Sequence, residues 1–358
     1  MGLGLSCKYL TLLLAAACAA CLVSGTETDA RSWYVLPDST GDAPTIPAGL
    51  DSASYGDTVL VAPGIYQTFD DPETKIYAKD GVWLLSEGGP DVTVIEMCGA
   101  TGITFFTCEG ARASGFWIRP GSGGGCEPPP LLARGISCYE CTDVIVEHCI
   151  IEGVDHGIYV RGASSEWWKP VFRNNVIRDC YMGIYCWDIH DPGRPFFQGN
   201  TITECAFGAE ILDSAPNLDG NEITHNAWGL SYGGHCGGNC TRNVIAYNED
   251  GGVWVYSDPP LASPDFNGTW LPEEANDFYG NGGYDIRYMY DPEQGQGLVM
   301  AIYNWWGSDC PNFASRIYGS NVVYSPWLDS THTVAITEAD CQGATEPTTW
   351  GSIKAMFR

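Results

Sequence analysis

Asp188 and Asp213 are the two carboxylates whose setting most invites a chemical role. Each closes a short apolar stretch, Gly183-Ile-Tyr-Cys-Trp-Asp188 and Gly208-Ala-Glu-Ile-Leu-Asp213, at the same offset from a glycine. If the two stretches are neighbouring strands, the carboxylates lie one strand spacing apart, about 4.8 Å. Two acids that close either share a cation or drive one pKa upward and become an acid–base pair. His190, His235 and Arg161 fall near the same turn, as proton carriers or as a base and charge stabiliser. Asp258 would join Asp188 and Asp213 around Ca²⁺, and Asp155 and Asp191 lie close by. The plain alternative is a row of turn residues, since Asp and Gly favour turns and Asp191-Pro-Gly193 is one.

What must position these groups is a repeat. Five segments align: Cys149–Val160, Asn175–Cys186, Asn200–Ile211, Asn221–Tyr232 and Asn243–Trp254, their first residues 26, 25, 21 and 22 positions apart. A unit this short cannot bury its own apolar face, so it must stack on its neighbours. Each unit holds a short strand, a turn, then Gly and a second strand. The runs between turns are too short for a sandwich and fit a coil with three short strands per turn. Alternation sends Ile158, Ile184 and Val253 inward.

Stacking turns equivalent positions into columns. The first position reads Cys149, Asn175, Asn200, Asn221, Asn243; five residues on it reads Val154, Cys180, Cys205, Asn226, Asn248. Asn tolerates left-handed backbone, and its amide can bond the same amide one coil away. Cys180 and Cys205 are predicted as neighbours, either disulfide-bonded or as stacked thiols. Outward rows read His156, Met182, Phe207, Trp228 and, three positions later, Tyr159, Tyr185, Glu210, Ser231, Trp254. Exposed aromatic rows suit the apolar faces of sugars, so Tyr159, Tyr185, Glu210, Trp228 and Trp254 are the candidate glycan contacts. The competing reading is that these rings stack on one another as part of the coil surface.

Composition narrows the partners. The chain has 358 residues, 44 acidic against 17 basic, and a formal charge of −27. That field repels nucleic acid and anionic lipid, and disfavours polyanions unless a bound cation reverses the local sign. Residues 1–25 read as an export signal: Lys8, an apolar run over Leu10 to Ala20, then small residues. Cys18 or Cys21 offers an alternative lipid-attachment point. The apolar run is too short to span a bilayer, and no other segment fits one. Of sixteen cysteines, three fall in the signal; the remaining thirteen are an odd number, so at least one thiol stays free in a disulfide-permissive compartment. Cys138-Tyr-Glu-Cys141 is a lone C-x-x-C without a second pair, a weak metal or redox motif.

Thr45 to Tyr66, with its Thr-Ile-Pro-Ala-Gly-Leu start and Val-Leu-Val-Ala-Pro-Gly-Ile-Tyr end, resembles the opening of right-handed β-helix proteins of the pectate-lyase-like superfamily. Asn304-Trp-Trp-Gly307 and Val322-Val-Tyr-Ser-Pro-Trp-Leu328 resemble the closing coil of bacterial, NosD-like members. The resemblance implies an all-β, single-stranded right-handed parallel β-helix over 33–328, capped by a short N-terminal helix. A separate tail, 329–358, would serve sorting or anchoring, or would be a frayed terminus or a final cap. On activity the resemblance says little, because one fold hosts many functions. The Gly-His-Gly and paired-Asp motifs of polygalacturonases are missing, as are the Gln-Asp-Thr-Leu stretch of pectin methylesterases and the Asp-Pro-His motif of alginate epimerases. Two expectations follow. One is a monomeric secreted or cell-surface protein that binds carbohydrate or builds the envelope. The other is a polysaccharide lyase, epimerase or hydrolase working on the stacked coils. A metal-handling role like that of NosD is weaker, for want of a Met/His cluster.

Overall fold

Apolar runs interrupted every few residues by Gly, Asn and Asp can form only short strands, and the strands span two to eight residues. The computed structural model describes residues 30–122, 126, 132–162, 169–189, 194–256, 264–266, 272–289 and 297–342. Over these the chain winds into a parallel β-solenoid with two nine-stranded sheets and one ten-stranded sheet. Each strand pairs with its equivalents one coil before and one coil after. The ten-stranded sheet runs through Ile76–Tyr77, Thr101–Phe106, Arg134–Tyr139, His156–Arg161, Met182–Ile189, Phe207–Ser214, Trp228–Gly233, Gly251–Val255, Tyr284–Tyr288 and Ile317–Tyr318.

Alternation fills the interior as expected. Ile136, Ile158, Ile184, Ala209, Leu230 and Val253 occupy successive rungs of one inward column and are fully buried. Each large member contributes roughly 1.5–3 kcal/mol by leaving water. Beside them runs a glycine row, Gly135, Gly157, Gly183, Gly208, Gly229 and Gly252. A Cβ on Gly157 would meet the Gly183 carbonyl oxygen at 2.5 Å and Ile177 Cγ2 at 2.5 Å, and the other members meet their neighbouring coil alike. These glycines are set by close approach between coils. In the fifth segment the row glycine is Gly252, since Trp228 pairs with Gly251 and Leu230 with Val253. One extra residue after Asn248 shifts that segment relative to the sequence alignment.

The asparagine columns are hydrogen-bonded ladders. Asn175 Nδ2 donates to Asn200 Oδ1 at 3.0 Å, and the relay continues through Asn221, Asn243, Asn276 and Asn304. A second ladder links Asn226, Asn248 and Asn281. The left-handed backbone, expected at the asparagines, lies instead one residue earlier. His148, Asn174, Gly199, Gly220 and Arg242 take positive φ before the first column; Asp179, Glu204, His225 and Tyr247 do so before the second. All of these asparagines but the half-buried Asn281 are buried, and their role is to satisfy backbone groups inside the coil corners.

Both ends are covered. At the N-terminus a helix over Ile46–Ser52 is capped by Thr45, whose side chain accepts from the Ala48 N–H, and it buries Ile46, Gly49 and Leu50. At the C-terminus the expected break after residue 328 falls inside a cap. Trp327–Leu328 pairs antiparallel with Ala335–Ile336, a short helix spans Glu338–Cys341, and Cys310–Cys341 is a disulfide. Residues 343–358, to which the sorting or anchoring expectation applies, lie outside the described residues, as do residues 1–25. A second disulfide joins Cys98 to Cys126, and among the described residues nine further cysteines are free and buried. Cys180 and Cys205 are among them, stacked as thiols.

Candidate functional site on the outer face of the ten-stranded sheet

The outward side of the ten-stranded sheet carries three parallel rows. The first holds Arg134, His156, Met182, Phe207 and Trp228 on successive rungs. The second holds Ser137, Tyr159, Tyr185, Glu210, Ser231 and Trp254, and the third Tyr139, Arg161, Trp187 and Leu212. Parallel in-register pairing of coils makes such rows unavoidable, so what matters is which side chains fill them.

Around Tyr159 the rows converge. The guanidinium of Arg134 lies 3.8 Å from the Tyr159 ring centre, and Arg134 also bonds the Tyr139 hydroxyl. Ring centres of Tyr139 and Tyr159 are 5.5 Å apart, as are those of Tyr159 and Tyr185. His156 stands edge-on to Tyr159 and 5.1 Å from Tyr185. Its Nδ1 lies 3.0 Å from a carboxylate oxygen of Asp155. Burial pushes the His156 pKa down, against the pull of Asp155 and together with the push of Arg134, so the ring is neutral at pH 7. Tyr185 is pushed up to about 12 by burial and by the Glu210 carboxylate. Farther along, Glu210 Oε1 accepts from the Tyr256 hydroxyl at 2.6 Å, and Trp254 sits 5.3 Å from Trp228 and 4.6 Å from Tyr256.

The second row points outward but is not openly exposed. Tyr159 keeps 4% of its surface and Glu210 keeps 8%. The reason is lateral: the rings, Arg134 and Tyr256 pack over one another, so outward orientation does not translate into free surface. Tyr185, Trp228 and Trp254 stay half-buried. Arg134, Tyr139 and Tyr256 were not picked out by sequence reasoning. Arg134 had a visible signal, since Arg134-Gly-Ile matches His156-Gly-Ile one coil on.

The acidic turn lies just past the strand ends. Pairing of Trp187 with Leu212 and of Ile189 with Ser214 puts Asp188 and Asp213 on neighbouring rungs. Both adopt positive φ, 58° and 45°, and Gly234 follows at 72°. That backbone favours Gly, Asn and Asp. Asp213 Oδ1 accepts from the His235 N–H at 2.8 Å and faces its Nδ1 at 3.5 Å. His235 is exposed. Arg161, also exposed, places its guanidinium 4.3 Å from the Trp187 ring centre. His190, Asp191 and Asp258 lie outside the described residues. Calcium takes six to eight oxygens. Among the described residues no group of three or more His, Cys, Asp or Glu side chains is arranged to hold a metal ion.

Comparison with known proteins agrees with this architecture. A family model described as a right handed beta helix region matches residues 134–268. The solved structure of pectate lyase Pel9A superposes with a TM-score of 0.57 at 14% identity, covering 88% of this chain and 85% of that one. Pectin methylesterase PemA from Erwinia chrysanthemi gives 0.43 at 12%, covering 88% and 98%. The mannuronan C-5 epimerase AlgE6 A-module of Azotobacter vinelandii gives 0.40 at 15%, covering 80% and 94%. No curated protein matches by sequence. The chain is therefore a right-handed parallel β-helix protein of the pectate-lyase-like fold. Its solved structural neighbours include carbohydrate-active enzymes, at identities that speak for the fold alone.

Proposed function

We propose that the protein is an exported β-helix that binds a polysaccharide along the outer face of its ten-stranded sheet. The observation that carries this reading is the half-buried Tyr185 ring beside Arg134, held in place by the covered Tyr159 and His156 rings packed against it. Aromatic rings receive the apolar faces of sugars, and Arg134 with Arg161 supplies hydrogen-bond donors and local positive charge on an acidic chain. Trp228 and Trp254 extend the same face two and three coils beyond Tyr185. The disulfides fit an oxidising, extracellular setting. The test is a panel of neutral and uronate polysaccharides scored for binding by wild type and Tyr185→Ala. Binding unchanged in the variant would overturn the groove.

One arrangement favours a second reading, a polysaccharide lyase, epimerase or hydrolase. A neutral imidazole beside a carboxylate is the form a general base takes, and Asp155–His156 is such a pair, its imidazole buried beneath this face. Asp188, Asp213 and His190 or His235, with Arg161, form the other proposed set, toward the opposite edge of the same sheet. Incubation of the panel with and without Ca²⁺, read for unsaturated products and reducing ends, tests both. Turnover lost in His156→Gln assigns it to the first set; loss in Asp213→Ala assigns it to the second. The absence of turnover on every polymer that binds leaves a binding protein.

A further inference from the structure

The lone C-x-x-C of the sequence has a third thiol in the structure. Thr142 N–H donates to the Cys108 carbonyl at 2.9 Å, and Glu109 bridges Thr142, so Cys108 and Cys141 occupy the same corner of adjacent coils. Their sulfurs lie 3.4 Å apart, inside the core, with Cys108 at 3% and Cys141 at 0% exposure. Residues on neighbouring rungs are about 4.8 Å apart at Cα, within the disulfide range of roughly 4.4–6.8 Å. Cys138, the other half of the C-x-x-C, is fully buried beside them.

We propose that Cys108 and Cys141 form a third disulfide, joining two coils of the helix as the chain folds in the presence of a small-molecule disulfide. The Cys141 thiolate attacks one sulfur of that reagent and expels a thiolate, leaving a mixed disulfide. Cys108 then attacks the Cys141 sulfur and expels the second thiolate. Both cysteines are oxidised, the reagent is reduced to two thiols, and the two cysteine protons end on those thiols. Hydrogen bonds among the three sulfurs lower the Cys141 thiol and raise Cys108 and Cys138, so Cys141 is the member favoured as the attacking thiolate. Burial pushes Cys149 and Cys236 up to about 11 and Cys240 up to about 12.

The test is a peptide map of the full chain folded with oxidised and reduced glutathione, then alkylated unfolded without reductant. Trypsin leaves Cys98 and Cys108 on the fragment 80–112, Cys126 on 113–134, and Cys138, Cys141 and Cys149 on 135–161. The expected result is that 135–161 runs joined to 80–112, which the Cys98–Cys126 disulfide already holds to 113–134, with fragmentation placing the new link at Cys108 and Cys141. The join persists in Cys138→Ser and is lost in Cys108→Ser. Alkylated Cys108 and Cys141 in the wild-type map, or a link that runs through Cys138, would overturn the proposal.

Discussion

Arg134 reaches from one coil to lie 3.8 Å from the ring centre of Tyr159 on the next. Register places Arg134 opposite His156 and Ser137 opposite Tyr159, so the contact crosses the sheet diagonally and links the first outward row to the second. A desolvated guanidinium on a tyrosine is worth about 1–2 kcal/mol. A double-mutant cycle of Arg134→Ala and Tyr159→Leu, followed by urea unfolding, should give a coupling energy near ~1 kcal/mol. Additive effects would show that the two side chains are merely neighbours.

The ladders give a sharper stability prediction. Asn221 accepts from the Asn200 N–H and side chain and donates to Phe197 O and Asn243 Oδ1. Asn221→Ala strands several buried backbone and amide groups at once, each costing roughly 1–3 kcal/mol. The expected loss is about 3 kcal/mol or more in urea, against well under 1 kcal/mol for an exposed residue such as Glu222→Ala, where no such group is stranded.

Two glycines separate close approach from backbone conformation. A Cβ on Gly208 would sit 2.5 Å from the Gly229 carbonyl oxygen and 2.7 Å from Ile223 Cγ2, whereas Gly220, at φ +63°, has open space around it. Gly220→Ala should cost about 1 kcal/mol, the conformational penalty alone. Gly208→Ala should cost at least ~2–3 kcal/mol, because two coils must part. Equal losses in thermal or urea unfolding would contradict the packing account of the glycine row.

His156 predicts a pH dependence of stability. Its folded pKa lies below the ordinary value of 6.5, chiefly through burial. The unfolded chain therefore binds the proton more readily, and the stability held above about pH 6.5 is lost as pH falls through the folded pKa. His156→Gln should flatten that part of the stability curve below pH 6.5 while leaving the profile above it unchanged. A variant whose profile parallels wild type throughout would remove His156 as its source.

How far these features could be read in advance depended on whether they are local. The glycine row, the core isoleucines and the ladder from Asn175 to Asn248 recur at short, nearly constant spacing, so the sequence shows them directly. Asn276, Asn281 and Asn304 continue the ladders, but the insertions before them stretch the spacing to 33 and 28 residues and hide the repeat. The direction of Tyr159 and Glu210 follows from strand alternation. Their burial does not, because it depends on Arg134 one coil before and on Tyr256 beyond. Asp188 and Asp213 were legible as a stacked pair, and positive φ accounts for both without any chemistry. The link of Cys141 to Cys108 needed the coil register, since nothing near the C-x-x-C announces a third thiol.

The central claim is that a glycan lies along the ten-stranded sheet. Titration calorimetry with a polysaccharide selected from the panel tests it directly, comparing wild type with Arg134→Ala, Tyr185→Ala and, as a control on a nine-stranded sheet, Trp83→Ala. The groove predicts a loss of affinity of roughly tenfold or more, about 1.4 kcal/mol, in the first two variants and none in the third. Unchanged affinity in Arg134→Ala and Tyr185→Ala, or a loss in Trp83→Ala alone, would contradict it.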